Sequence, residues 1–136
     1  DVFRVFDAMN DTRNLLTSIN AVKKAGKHAQ GTICYTTSPV HTDAQFVTMA
    51  KELENMGCDS IVVKDMAGLI TPKAAASLFE ELSNTVSIPL QLHSHATSGI
   101  SNISQYKAIE NGCIHIDTAI SSMSNGASHA PTESMV

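Results

Sequence analysis

The chain of 136 residues contains no apolar run approaching the length of a membrane span, so nothing in it predicts a transmembrane helix. It has no excess of positive charge either. Nine Lys and Arg stand against thirteen Asp and Glu, for a formal net charge of -4. The basic residues are scattered, and no nucleic-acid footprint appears. Cysteine is sparse: Cys34, Cys58 and Cys113 form no C-x-x-C pair and are odd in number. That usage predicts reduced thiols in a cytoplasmic protein, each behaving as a small buried hydrophobe. No G-x-G-x-x-G and no P-loop follows any strand-like run, which weakens a nucleotide-binding reading. The chain opens without Met inside the run Val2-Phe3-Arg4-Val5-Phe6 and shows no targeting signal, so it reads as an internal piece of a longer protein.

What is present is a repeat. With 43% hydrophobic residues, one globular unit is expected. Strand-like apolar runs begin near residues 2, 31, 60, 88 and 114, at separations of 29, 29, 28 and 26 residues. A period of this length asks for one supersecondary unit per repeat. Helical stripes fill the intervals: Leu15, Leu16, Ile19 and Val22; Phe46, Val47, Ala50 and Leu53; Ala75, Leu78, Phe79 and Leu82; Ile103, Tyr106 and Ile109. Thr42-Asp43-Ala44-Gln45 has the form of a capping box, Thr71-Pro72 offers an N-cap followed by proline, and Gly26, Gly57 and Gly112 stand where helices should stop. Strand then helix at this spacing predicts βαβ units and a parallel sheet. Two α/β architectures compete, a doubly wound open sheet and an eight-stranded (β/α)8 TIM barrel.

Chemistry gathers at the C-terminal ends of the predicted strands, as a barrel requires. Asp7 stands with Asn10 and Asp11, Tyr35 with Thr36 and Thr37, Lys64 with Asp65, His93 with His95, and Asp117 with Thr118. Strand ends pass into polar loops in any case, so Asp7, Thr36 and Thr118, taken singly, read as turn residues or caps rather than functional groups. His93 and His95, two apart on a strand, point to one side and can share a cation; two ordinary histidines are the plain alternative. Lys64 follows Ile61-Val62-Val63 directly, where desolvation opposes a charged ammonium. Such a lysine calls for a carboxylate partner, a Schiff-base role or a covalent modification.

Four segments together carry a family resemblance: residues 2–11 (VFRVFDAMND), 63–69 (VKDMAGL), 92–99 (LHSHATSG) and 117–124 (DTAISSMS). In this order they resemble the carboxyltransferase domain of biotin-dependent enzymes, the group of the oxaloacetate decarboxylase α subunit, pyruvate carboxylase in its one-chain or divided form, and the transcarboxylase central subunit. The resemblance covers essentially the whole chain and implies a TIM barrel of which about five consecutive βα units are present, residues 1–136 forming part of a single pyruvate carboxyltransferase domain. It implies a lyase or carboxylase step of pyruvate metabolism in which a carboxyl group moves between carboxybiotin and pyruvate or oxaloacetate. It also implies a divalent metal of the Zn, Co or Mn type held by His93, His95 and a carbamylated Lys64, with biotin carried on a separate domain or subunit. Met66 is then a candidate wall of the pyruvate pocket, or a packing residue. Arg4 and Asp7 are candidates for substrate or biotin contacts, with a structural ion pair the rival role for Arg4.

The resemblance implies further partners: a biotin carrier domain, a homo-oligomeric parent, and membrane-bound partner subunits where the decarboxylase form applies. Family positions on the first and eighth barrel strands, including an aspartate ligand, have no counterpart here, and Asn125, Ala127 and Ala130 replace the Gly, Thr and Pro common in relatives. Two other readings stay open. One is an acyl-CoA lyase or 2-acid synthase on the same scaffold, sharing His-x-His but lacking the lysine of the 63–68 motif; the other is a non-catalytic α/β binding module. Five strands from a barrel would also leave two exposed edges and an open interior face, the face expected here to be apolar and built from Val5, Ile33, Val62 and Leu92, so that residues 1–136 alone should associate or fold poorly and lack activity.

Overall fold

The computed structural model describes residues 1–136, and no helix in it is long and apolar enough to cross a membrane. Five strands, β1 (Val2–Val5), β2 (His28–Cys34), β3 (Ser60–Asp65), β4 (Leu90–Ser94) and β5 (His115–Ile116), alternate with four helices, α1 (Leu16–Lys24), α2 (Asp43–Asn55), α3 (Pro72–Ser83) and α4 (Ser101–Glu110). All strand pairs are parallel, and their spatial order equals their order along the chain. A doubly wound sheet reverses its strand order at a switch point, whereas a barrel wall does not. The unreversed order is therefore that of a TIM-barrel wall, incomplete at five strands. After β5 come only short 3-10 turns at Ser121–Met123 and Thr132–Ser134.

Local chemistry explains where the helices start and stop. Thr42 caps α2 by accepting from Gln45 N, and Thr71 caps α3 by accepting from Ala74 N at 3.2 Å, with Pro72 in the first turn where its missing N–H costs nothing. Gly112 follows α4 at φ +103, and a Cβ there would lie 2.5 Å from that of Ser83. Only glycine meets both demands.

The sheet has two unlike faces. Side chains at i, i+2 and i+4 share a face, and paired residues of neighbouring strands point the same way. Ile33, Ile61, Val63, Leu90 and Leu92 lie on the helix-covered side and join Ile19, Leu53, Leu78, Phe79 and Leu82 in a single dry core. Each such side chain stabilises the fold by about 1.5–3 kcal/mol relative to exposure. The opposite, interior face carries Arg4, Gln30, Thr32, Ser60, Lys64, Gln91 and His93, with Val62 and, at the outer end of β1, Val2 as its aliphatic groups. The expectation of an apolar interior is thus overturned: Ile33 and Leu92 belong to the core and Val5 packs against it. Arg4 Nε donates to Gln30 Oε1 at 2.6 Å, and Gln30 Nε2 donates to Gln91 Oε1 at 2.8 Å and Ser60 Oγ at 3.2 Å. A face so bonded is not a hydrophobic surface seeking cover, which removes one of the two grounds for the predicted association; the open edges at β1 and β5 are the other.

Helix α4 also departs from the pattern. Its apolar stripe, Ile103, Tyr106 and Ile109, points outward, while Ser101, Ser104, Gln105 and Ala108 are buried. The buried polar groups are used: Ser104 Oγ donates to Ile70 O at 2.6 Å, Ser101 Oγ to Ser94 O at 3.2 Å, and Gln105 Nε2 to Asp117 O at 2.9 Å. Backbone carbonyls in the loop after β3 and at the ends of β4 and β5 thereby find donors, which outweighs the apolar periodicity.

Candidate metal centre

His93 stands on β4, and Cα pairing places it beside Lys64 of β3, itself beside Cys34 of β2. This row closes the interior face at the C-terminal ends of the strands. His93 Nδ1 lies 2.5 Å from Asp117 Oδ2 and 3.2 Å from Arg4 Nη1. A carboxylate only accepts and a guanidinium only donates, so Nδ1 cannot serve both. The shorter contact fixes the tautomer: Nδ1 donates its proton to Asp117, and Arg4 is a neighbour that bonds Asp117 Oδ2 itself at 2.6 Å. Burial opposes ionisation of Asp117, but hydrogen bonds from His93 and Arg4, together with the Arg4 charge, outweigh it and hold the carboxyl well below the usual carboxylate range.

His95 follows the strand end, and its Nδ1 lies 2.7 Å from Ala127 O. A carbonyl can only accept, so here too Nδ1 carries the proton. Both Nε2 atoms are then left with lone pairs, and they face one another at 3.3 Å. Two acceptors at that distance repel unless a proton or a cation lies between them. The donor set suits a borderline divalent ion, and the carboxylate and carbonyl on the far nitrogens are the outer partners that orient metal-binding imidazoles.

A third imidazole, His129, completes the group. One ring nitrogen of each of His93, His95 and His129 lies within 4.8 Å of the others. His129 Nδ1 lies 3.0 Å from Ser94 O, and the backbone around it is stapled to the His93–His95 segment by a bridge between His95 and His129 and by Ala96 N donating to Ser128 O at 2.7 Å. Burial and the neighbouring imidazoles His93 and His95 push its pKa down and so favour the neutral ring, against its bond to Ser94 and the Asp117 charge, which pull it up. Sequence spacing gave no sign of His129, because its proximity depends on a loop that folds back. Asp117 was visible as a strand-end carboxylate, without its role as the partner of His93.

The remaining candidates divide. Lys64 is half-buried, with Nζ 3.7 Å over the centre of the Phe6 ring. Met66 is exposed and, with Lys64, Phe6, Met9, Asn10 and Tyr35, borders a cleft of about 480 Å3. Arg4 reaches the same polar layer as His93, but its guanidinium is occupied by Asp117 and Gln30, so the structure displays the ion pair rather than a free carboxylate receptor. Asp7 accepts from Met9 N, Asp11 N and Asn14 Nδ2, which makes it the organiser of its own turn. Asp65, next to Lys64 in sequence, faces the opposite way and is fully buried. It accepts from Leu69 N at 2.9 Å, Ile70 N at 3.0 Å and Ser94 Oγ at 3.2 Å. It thus ties the loop after β3 to β4. Gly68 lets that loop approach: at φ +67, its Cβ would stand 2.7 Å from His95 O.

A parallel β/α barrel wall with clustered imidazoles at the strand C-termini defines a class of proteins whose chemistry sits on that rim. Within it, the chain belongs to the HMGL-like family, which matches residues 7–136. The chain is 52% identical over its full length to a pyruvate carboxylase subunit of Methanocaldococcus jannaschii, of which it spans 24%. It is 56% identical over 99% of its length to the methylmalonyl-CoA carboxyltransferase 5S subunit of Propionibacterium freudenreichii subsp. shermanii, spanning 27% of that protein. The carboxyl transferase domain of Rhizobium etli pyruvate carboxylase, solved with pyruvate and biocytin, superposes with a TM-score of 0.97 at 35% identity, covering 99% of this chain and 24% of that one. The chain therefore spans about a quarter of the length of these relatives, and its resemblance to carboxyltransferases of biotin-dependent enzymes is borne out.

Proposed function

We propose that residues 1–136 form part of a single carboxyltransferase barrel domain that moves a carboxyl group between carboxybiotin and pyruvate or oxaloacetate, as in pyruvate carboxylase or an oxaloacetate decarboxylase. The observation that carries this reading is the facing pair of His93 and His95 Nε2 atoms at 3.3 Å, set beside Lys64 in strand register. On this reading His93, His95 and a carbamylated Lys64 hold a divalent metal, which when bound supplies Lewis-acid polarisation of a keto oxygen. Biotin arrives on a separate carrier domain or subunit.

The chain's own residues have definable tasks. Carbamylation converts the Lys64 ammonium into an anionic oxygen donor and so reconciles a lysine with a cation site. Asp117 holds the His93 ring with its Nε2 turned toward His95, and Arg4 holds Asp117, which makes Arg4 a positioning residue. Met66 and Phe6 flank the cleft beside Lys64 and provide an apolar wall against which a small keto acid can be shielded from water. The high identity to carboxyltransferases, with the lysine of the 63–68 motif in place, favours this reaction over an acyl-CoA lyase or 2-acid synthase.

The test is metal content and oxaloacetate decarboxylation in the full protein carrying His93→Ala or His95→Ala. Loss of most bound metal together with activity is expected in each. Full metal occupancy in both variants overturns the assignment.

A further inference from the structure

We propose that Gln30 is a positioning residue for the transfer reaction: through its own side-chain amide and that of Gln91 it fixes the Arg4 guanidinium and the Asp117 carboxylate against each other. The inference rests on the role given above to Arg4 and Asp117. Four side chains close a ring on the interior face, Arg4 on β1, Gln30 on β2, Gln91 on β4 and Asp117 just past β5. Arg4 Nε donates to Gln30 Oε1 at 2.6 Å, and Gln30 Nε2 donates to Gln91 Oε1 at 2.8 Å. Gln91 Nε2 in turn donates to Asp117 Oδ1, and Arg4 Nη1 closes the ring by donating to Asp117 Oδ2 at 2.6 Å.

The ends of the ring dictate its middle. A guanidinium only donates and an ionised carboxylate only accepts, so each glutamine must turn its oxygen toward Arg4 and its nitrogen toward Asp117. Only a side chain that carries both an acceptor and a donor fits such a position. Glutamate at 30 would offer Gln91 no proton and would compete with Asp117 for Arg4, whereas an apolar residue would leave Arg4 Nε and Gln91 Oε1 without partners. Gln30 is only 3% exposed, so bulk water does not reach its amide to replace either bond. Its Nε2 also donates to Ser60 Oγ at 3.2 Å, and that oxygen lies 2.7 Å from His28 Nε2, which ties the ring to the N-terminal half of the wall. Gripped by Gln30 at Nε and by Asp117 at Nη1, the planar guanidinium is fixed at two points, a hold that the single ammonium of lysine does not reproduce.

The experiment uses the full protein with arginine labelled at 15Nε, read by NMR beside steady-state oxaloacetate decarboxylation. In the metal-free wild type, Arg4 should give a slowly exchanging Nε–H signal, identified by its loss in Arg4→Lys. Gln30→Met keeps the length of the side chain and removes its hydrogen bonds. The Arg4 signal should then exchange at least about 10-fold faster, and kcat/KM should fall about 10- to 100-fold. In the Arg4→Lys background the same change should alter kcat/KM by less than about twofold, because Gln30 acts through Arg4. Gln30→Glu keeps the acceptor for Arg4 without the donor for Gln91, so the signal should persist while kcat/KM stays at least about 10-fold below wild type. Exchange within about twofold of wild type in a folded Gln30→Met protein, or an equal loss of kcat/KM in both backgrounds, overturns the positioning role. Wild-type kcat/KM in Gln30→Glu overturns the head-to-tail ring. If Gln30→Met does not fold, Gln30→Glu and the wild-type Arg4 signal decide. If the wild type decarboxylates no oxaloacetate, the proposed function falls, and exchange in the metal-free protein still decides whether Gln30 holds Arg4.

Discussion

The two faces of one sheet obey opposite rules. On the helix side, Ile61, Val63 and Leu92 are wholly excluded from water, and stability comes from close packing. On the interior side, the same strands carry Lys64, Gln91 and His93, and order comes from a chain of hydrogen bonds running from Gln30 through Gln91 to Asp117 and His93. The alternation of a β-strand lets a single segment such as Leu90–Ser94 serve both, Leu90 and Leu92 anchoring it while Gln91 and His93 face the centre. A site built this way has its reactive groups fixed by a core that never touches them. Substitutions on the two faces should therefore separate activity from stability.

The largest effect is expected at Lys64. If its carbamate oxygen is a ligand, Lys64→Arg retains charge but cannot supply that oxygen, and should abolish carboxyl transfer as completely as Lys64→Ala. Because Lys64 is half-buried and its contact is the Phe6 ring, neither change should shift unfolding stability by more than about 1 kcal/mol. Assay of transfer beside a urea melt of the same variants checks both halves; activity in Lys64→Arg would contradict the ligand role.

Next comes Leu92→Ala, two positions back along β4 from Ser94 and on the face away from His93. A fully buried leucine in the core should cost about 2–5 kcal/mol on truncation. Under native conditions the folded variant should still bind metal at wild-type stoichiometry. A variant that folds with wild-type stability would show that the core is not what holds β4.

Asp117→Asn tests the join between the faces. It removes the charge that Arg4 and His93 share, and hydrogen bonds to charged groups contribute about 1.5–3 kcal/mol. With the His93 ring less well oriented, metal affinity should fall about 10- to 100-fold. Denaturation and metal titration read the two losses separately; an unchanged affinity would show that His93 needs no carboxylate to orient it.

Much of this division could be read in the chain, and the failures have physical causes. The stripes of α2 and α3 and the caps at Thr42 and Thr71 were legible because local periodicity and side-chain capping decide them. The pairing of His93 and His95 was legible because period two places both on one side. The stripe of α4 misled, since periodicity records apolar residues but not which side meets the carbonyls of Ile70, Ser94 and Asp117. Val5, Ile33 and Leu92 were rightly seen as strand positions but assigned to the wrong face. Apolar side chains follow the covering helices, and strand sequence alone does not say where those helices lie. His129 depends on a contact between distant segments, for which no single-sequence signal exists.

The smallest expected effect concerns the thiols, which sample both faces. Cys34 stands half-buried in the row of Lys64 and His93, whereas Cys58 and Cys113 belong to the dry core. Burial pushes all three up from the ordinary thiol value of 9.0, Cys58 to about 11 and Cys113 to about 12; at Cys34 the Lys64 charge works against that rise. The thiolate is the nucleophile, so near pH 8 the folded protein should resist alkylation at Cys58 and Cys113 and react slowly at Cys34, while the denatured chain reacts at all three. The same shifts carry a sign for stability. A thiol whose folded-state value is raised keeps a proton that the unfolded chain releases above about pH 9, so the folded state binds more protons there and stability falls as pH rises from about 9 toward 12. Below about pH 8, where the unfolded thiols also keep their protons, the two thiols should contribute almost no pH dependence. Site-resolved alkylation at pH 8 and urea midpoints from pH 8 to 11 measure both effects. Rapid labelling of Cys113 before Cys34 in the folded protein would mean that the helix side opens more readily than the site, reversing the contrast between the two faces.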